Sequence, residues 1–246
     1  MKKRRGRKVK RKSLENCNFF CRNFIIALVD LRKLRTYFWF SLILFFVIGF
    51  FGYLFPVFFV DEISEIIQEL IKQTEGLGAL GLIRFIVANN IWTGFMAMIL
   101  GTILAVPPLI VLVVNGYILG FVSRASVDTE GILILWRLLP HGILEIPAVL
   151  ISMALGIRLG MLLMKEVIET YRPNISKVGE VVLIALSILI FPIAFFVYMI
   201  LTAVDQDLKI SFIENVKYSF RVFFFIVVPL LVIAGIIEGI LIGLVG

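Results

Sequence analysis

The sequence predicts an all-α, polytopic transmembrane helical bundle of about six spans, with five as the alternative count. Three observations predict it. Of 246 residues, 61% are hydrophobic and 17% charged, whereas an average soluble domain has roughly 45–50% apolar and about 25% charged residues. The apolar residues are gathered into long runs at 37–60, 85–106, 107–122, 132–157, 181–204 and 222–246. A spanning helix needs about 20 residues, so only 107–122 is marginal. None of the runs alternates polar and apolar residues with the period of two that a membrane β-barrel requires.

Residues 1–13, beginning MKKRRGRKVKRK, form a basic arm that reads as disordered, because it has too little apolar surface to offset chain entropy. Leu14, Phe20, Phe24, Leu28 and Leu31 then recur at helical spacing, which predicts an amphipathic helix over 14–36 lying on the membrane face. The bundle proper is expected over 37–246. Within it, residues 61–76 carry Ile63, Ile66, Ile67, Leu70 and Ile71 among acids, which suits a short amphipathic segment on the outer side. Pro107 and Pro108 favour a tight hairpin between the second and third runs. The polar stretch 123–131 reads as a loop. In the fourth run Pro140 suits a first helical position, while Pro147 lacks an amide hydrogen and clashes with the preceding turn. A span broken between these two prolines is therefore expected.

Thirteen of the 24 Lys and Arg residues lie in the first 36 positions. Beside a membrane domain such a concentration fixes topology and touches anionic lipid; a nucleic acid partner is not expected. The amino terminus is thus placed in the cytoplasm, and six spans return the carboxyl terminus there. The basic stretch 157–177 falls on the same side. No short apolar region with a small-residue cleavage site follows the arm, so the first span reads as a retained anchor of a multi-pass cell-membrane protein. Cys17 and Cys21, the only cysteines, are expected as reduced thiols. Their spacing of four puts them on one helix face, and two thiols alone make a poor zinc site.

Polar residues inside the hydrophobic runs are the candidates for function. His141 and Glu145 stand four apart, on one helical face. Asn115 and Glu238 lie in other runs, with Asn89 and Asn90 as secondary members. An acidic residue facing lipid at mid-membrane costs on the order of 3 kcal/mol on insertion scales, so these side chains should turn inward and gather in a polar centre. Such a centre could simply fix helix packing, or it could couple to an ion or substrate. Measured interhelical hydrogen bonds in membranes average only about 0.6 kcal/mol, which makes packing alone an inefficient reason to bury acids. His141, Glu145 and Glu238 are also the candidate metal ligands. Zinc or another divalent cation is conceivable there but not expected, since catalytic zinc usually takes three protein ligands and the HGILE stretch supplies two. Gly116 and Gly120, Gly142, Gly156 and Gly160, and Gly235 and Gly239 are spaced for close helix approach, in the bundle or in a homo-oligomer.

Three of these segments also resemble a known family. The NG-three-G element at 115–120, PHGILEIPA at 140–148 and AGIIEG at 234–239 look like the stage II sporulation protein M family of polytopic membrane proteins, over about residues 80–245. The resemblance implies an all-helical bundle. For the sporulation member it implies a membrane anchor or scaffold for peptidoglycan-cleaving partner proteins; relatives occur outside sporulation.

A nonenzymatic scaffold or transport-related component, working through the polar centre and holding membrane or cell-surface protein partners, is the expected function. Two alternatives stay open: an intramembrane metal-dependent or acid–base enzyme using His141 and Glu145, and a proton- or cation-coupled transporter. No HEXXH motif, nucleophile elbow or Gly-rich dinucleotide fingerprint is present, which leaves no support for the common soluble chemistries.

Overall fold

The structure, a computed structural model, describes residues 17–103, 105–171 and 212–245, with side chains described except at 136–141, 166–171 and 241–245. Among them there is no strand. Eight α-helices follow one another: α1 (Phe19–Leu31), α2 (Arg35–Leu54), α3 (Val60–Thr74), α4 (Ala79–Leu100), α5 (Val106–Glu130), α6 (Leu139–Tyr171), α7 (Phe212–Val222) and α8 (Val228–Val245). Five helical stretches among the described residues are long and apolar enough to cross a membrane. The expected span at 181–204 lies outside the described residues, as do the arm 1–13 and Leu14.

Asn18 starts α1 by accepting a hydrogen bond from the Cys21 amide at 2.9 Å, which satisfies one of the free N–H groups of the first turn. Cys17 and Cys21 stand side by side at the start of this helix, their Cα atoms 5.5 Å apart. A 3-10 turn, Arg32–Leu34, carries α1 into α2. The apolar stretch Phe19–Leu54 is therefore 36 residues long. At 1.5 Å per residue it exceeds a hydrocarbon core of about 30 Å, so part of it must lie beyond the core.

The chain turns between Leu100 and Val106, as expected between the second and third runs, with Ala105 in the left-handed region (φ 60°) and Pro107 and Pro108 in the first turn of α5. Two other expectations are corrected. The polar stretch 123–131 is not a loop: α5 continues to Glu130, because Arg124 pairs with Asp128 one turn on at 2.9 Å and Thr129 donates back to the Ala125 carbonyl. Such pairs support a helix that composition alone reads as polar linker. Only Gly131, at φ 81°, is left to make the turn.

The fourth span is not broken between Pro140 and Pro147 either. A 3-10 segment, Ile132–Leu138, comes first, and α6 then runs unbroken from Leu139 through Pro147 to Tyr171. Pro140 falls in the first turn, where its missing amide hydrogen has no intrahelical partner to lose. Pro147 leaves the Ile143 carbonyl without its helical donor, but tight burial from Ala148 onward holds the helix on course. A comparable defect shapes the last span: Pro229 follows directly on a π-helical turn, Phe223–Val227, joining α7 to α8. Such a turn absorbs the ladder mismatch that an interior proline creates.

Helix α6 is the centre of the bundle. Leu150, Met153, Ala154, Leu155 and Ile157 have no exposed surface, and α2, α4, α5, α7 and α8 all pack on it. Small residues set the closest seams. At Gly156 an added Cβ would overlap the Ala97 carbonyl of α4, and at Gly101 it would overlap Gly156 in return. Gly116 and Gly120 face Phe45 and Gly49 of α2 in the same manner, while Gly235 and Gly239 admit Val87 and Ile83 of α4. These glycines, equally compatible in sequence with a dimer, are used within the chain. Large apolar side chains such as Trp39, Phe50, Trp92 and Ile110 point outward and are exposed, as lipid-facing residues must be.

Helix α3, amphipathic as expected, packs extensively on no other helix. Its entry turn is held by Tyr117, whose hydroxyl donates to the Phe55 carbonyl at 2.7 Å and accepts from the Phe58 amide at 3.2 Å. Replacing Tyr117 with phenylalanine should therefore lower stability by about 1 kcal/mol. Thermal unfolding in detergent measures this, and an unchanged Tm would show that the turn holds without the hydroxyl.

Buried charge is concentrated at the other end of α2. Asp30 of α1 accepts from Lys33 at 3.0 Å and from Arg221 of α7 at 3.0 Å, which ties the two amphipathic helices together. Beneath them lies Arg158 of α6, 1% exposed. Sequence reading placed it with the inner basic stretch 157–177; the structure puts it inside the bundle. Its guanidinium stands 4.8 Å from the centroid of the Tyr218 ring and 6.0 Å from that of Tyr37. Cation–π contacts contribute about 2 kcal/mol when desolvated, whereas burying one unpaired ion costs several kcal/mol even after relaxation. The two rings do not offset the charge.

Candidate functional site

Three of the four residues expected at the polar centre line one cavity of about 310 Å³: Asn115 from α5, Glu145 from α6 and Glu238 from α8, with Phe45 of α2 and Gly142 on its walls. Each arrives from a different helix; Glu145 and Glu238 are half-buried, whereas Asn115 is exposed at the cavity's edge. The fourth, His141, falls one turn before Glu145 in α6, but its side chain is outside the described part of the structure, as is that of Pro140.

Asn90 closes the group from α4, its Nδ2 donating to Glu145 Oε1 at 2.8 Å. Neighbouring Asn89 is exposed and lies apart. Asn115 donates from Nδ2 to the Val111 carbonyl of the preceding turn at 2.7 Å, which fixes its amide and leaves its side-chain oxygen as an acceptor. Glu238 is half-buried. The cavity thus presents two carboxyl groups and one carboxamide on otherwise apolar walls, with the Asn90 amide bonded to Glu145 from α4.

This arrangement is more than a packing device needs. A hydrogen bond to a charged acceptor contributes about 1.5–3 kcal/mol in soluble proteins, and interhelical ones in membranes average about 0.6 kcal/mol. An acid costs roughly 3 kcal/mol at mid-membrane, more than the Asn90 hydrogen bond to Glu145 returns, and a cavity of this size has room for several waters. Among the described residues no three His, Cys, Asp or Glu side chains cluster closely enough to hold a metal ion.

Sequence reasoning missed the position of Arg158. Its signal was an arginine standing between leucines and isoleucines, in GIRLGML, seven residues before the next charge at Lys165. Ending the apolar run at 157 hid it. It also ranked Asn90 with Asn89, since nothing in the sequence tells which of two adjacent amides meets a residue 55 positions away.

A family model described as Stage II sporulation protein M matches residues 41–241. That range takes in α2 through most of α8, and with them every residue of the cavity. No curated protein and no solved structure gives a significant match.

Proposed function

Because this chain belongs to the Stage II sporulation protein M family, we propose that it acts through the intramembrane cavity as a transport-related component, binding a proton or small cation between Glu145 and Glu238. The observation that carries the reading is the meeting of two glutamates from separate helices at one cavity. Carboxylates at membrane depth mark ion and proton pathways in many membrane proteins. Asn90 positions Glu145 through an amide hydrogen bond, and the Asn115 oxygen adds a neutral ligand.

Flux into liposomes tests it. With protein reconstituted at known orientation, Glu145→Gln and Glu238→Gln should each lower proton or monovalent-cation flux by about tenfold or more, equivalent to about 1.4 kcal/mol of barrier. Flux equal to that of the native protein in both variants, with the fold intact, would remove the reading.

A scaffold role is the second reading, and α3 supports it. Ile66, Leu70 and Ile71 are exposed on that helix beside Glu65 and Glu69, an amphipathic face suited to a protein partner at the membrane surface. Recovery of a reproducible partner from native membranes, lost when Ile66 and Leu70 become serine, is the outcome this reading expects.

A further inference from the structure

A second polar site lies away from the cavity, at the opposite part of α6. Arg158 is buried, and no oxygen among the described residues accepts from its Nε, Nη1 or Nη2. A guanidinium offers five N–H donors in a planar fork. The carboxylate of Asp30 in the layer above is committed to Lys33 and Arg221. The Ser41 and Ser219 hydroxyls, both buried, also have no hydrogen-bond partner among the described residues. Waters would satisfy the donors without answering the charge, and the two tyrosine rings answer only part of it.

Directly outside lies a pocket of about 240 Å³, between α1 and α7, lined by Asp30, Lys33, Asn215, Lys217, Tyr218 and Arg221 together with Glu214. Tyr218 belongs to both places. Its ring lies 4.8 Å from the Arg158 guanidinium and 5.7 Å from Lys33 Nζ, so one aromatic side chain joins the buried cation to the mouth. Three cations line that mouth against two carboxylates, one of which is already paired twice.

We propose that Arg158 is the inner anchor of a binding site for a phosphate group, reached from the α1–α7 pocket by a turn of the Tyr218 ring. A tetrahedral oxyanion matches the guanidinium: it accepts bidentately from it and has oxygens left for Lys33 at the mouth. Two sources share this chemistry, a phospholipid headgroup and free phosphate. Phe20, Phe24 and Leu28 are exposed on α1 beside the mouth, and such a face dips into the acyl boundary; it brings the headgroup layer to the opening.

The test uses the full chain in phosphatidylcholine nanodiscs, with phosphatidylglycerol titrated in and retention of the anionic lipid read by native mass spectrometry, with or without millimolar inorganic phosphate. The native protein should retain one phosphatidylglycerol preferentially, and Arg158→Gln should weaken that retention by about tenfold, the order expected for losing a charge-assisted, bidentate contact. Competition by inorganic phosphate assigns the free ion as ligand; failure to compete assigns the headgroup. Lys33→Gln, at a half-exposed position in the mouth where Arg221 still answers Asp30, should weaken retention several-fold even if the Arg158 variant does not fold. Arg124→Gln, an exposed cation elsewhere, should change nothing. Equal retention in the native protein and Lys33→Gln, or no preference for the anionic lipid together with no phosphate binding, overturns the proposal.

Discussion

Gly156→Ala is expected to destabilise the protein by about 3 kcal/mol, at the upper end of what forcing extra volume into a packed core costs. The added methyl group would overlap the Ala97 carbonyl and sit 3.2 Å from the Met98 Cα, and neither is the mobile end of a side chain. Helices α4 and α6 would have to separate along a seam that also contains Gly101, Ala105 and Gly160. The control is Gly142→Ala in the same helix. There the nearest atom to an added Cβ is Ile146 Cδ1 at 3.4 Å, an ordinary contact, and alanine gains about 0.8–1 kcal/mol of helix propensity over glycine. The two substitutions should therefore move Tm in opposite directions in the same detergent. A Gly156→Ala protein that melts with the native one would mean that the α4–α6 backbones do not touch.

Asp30→Ala should cost about 3 kcal/mol, because breaking a buried ion pair by removing one partner leaves uncompensated charge behind. The Asp30 carboxylate is 9% exposed, and it holds Lys33 and Arg221, the latter across 191 residues of sequence. Without it, two cations face each other directly above a third, Arg158. The measurable consequence is a lower Tm together with release of α1, seen as protease cleavage after Arg22. Arg221→Gln in the same chain should recover part of the loss, the non-additivity expected of direct partners. If the double variant is as unstable as the sum of the single ones, the two residues are not coupled and α1 is held by its apolar face alone.

The all-α membrane class was legible because it follows from composition and run length, which tertiary context does not alter. The turn just ahead of Pro107–Pro108 was legible for the same local reason. Where tertiary packing or side-chain pairing decides, the sequence misled. The stretch 123–131 was read as a loop from its polarity, though Arg124 and Asp128 stand at helix-supporting spacing. Pro147 was read as a break, because proline in isolation disrupts a helix; packing on five neighbours outweighs it in α6. The gathering of Asn115, Glu145 and Glu238 was inferred from the cost of facing lipid, an argument that says polar groups turn inward but not which of them meet. It could not select Asn90 over Asn89. Arg158 escaped the same argument only because the end of its span was drawn one residue too early.

Helix α6 passes without interruption between its two polar stations. Glu145 and Arg158 are about 20 Å apart along its axis at 1.5 Å per residue, one at the cavity and the other behind Tyr218. A rod gripped at its waist by the backbone of α4 has little freedom to flex between those stations; it slides or rolls as one piece, the small shear that close-packed helices permit. A shift of α6 along its axis would therefore carry the cavity glutamate and the buried arginine together, one stiff element serving both stations.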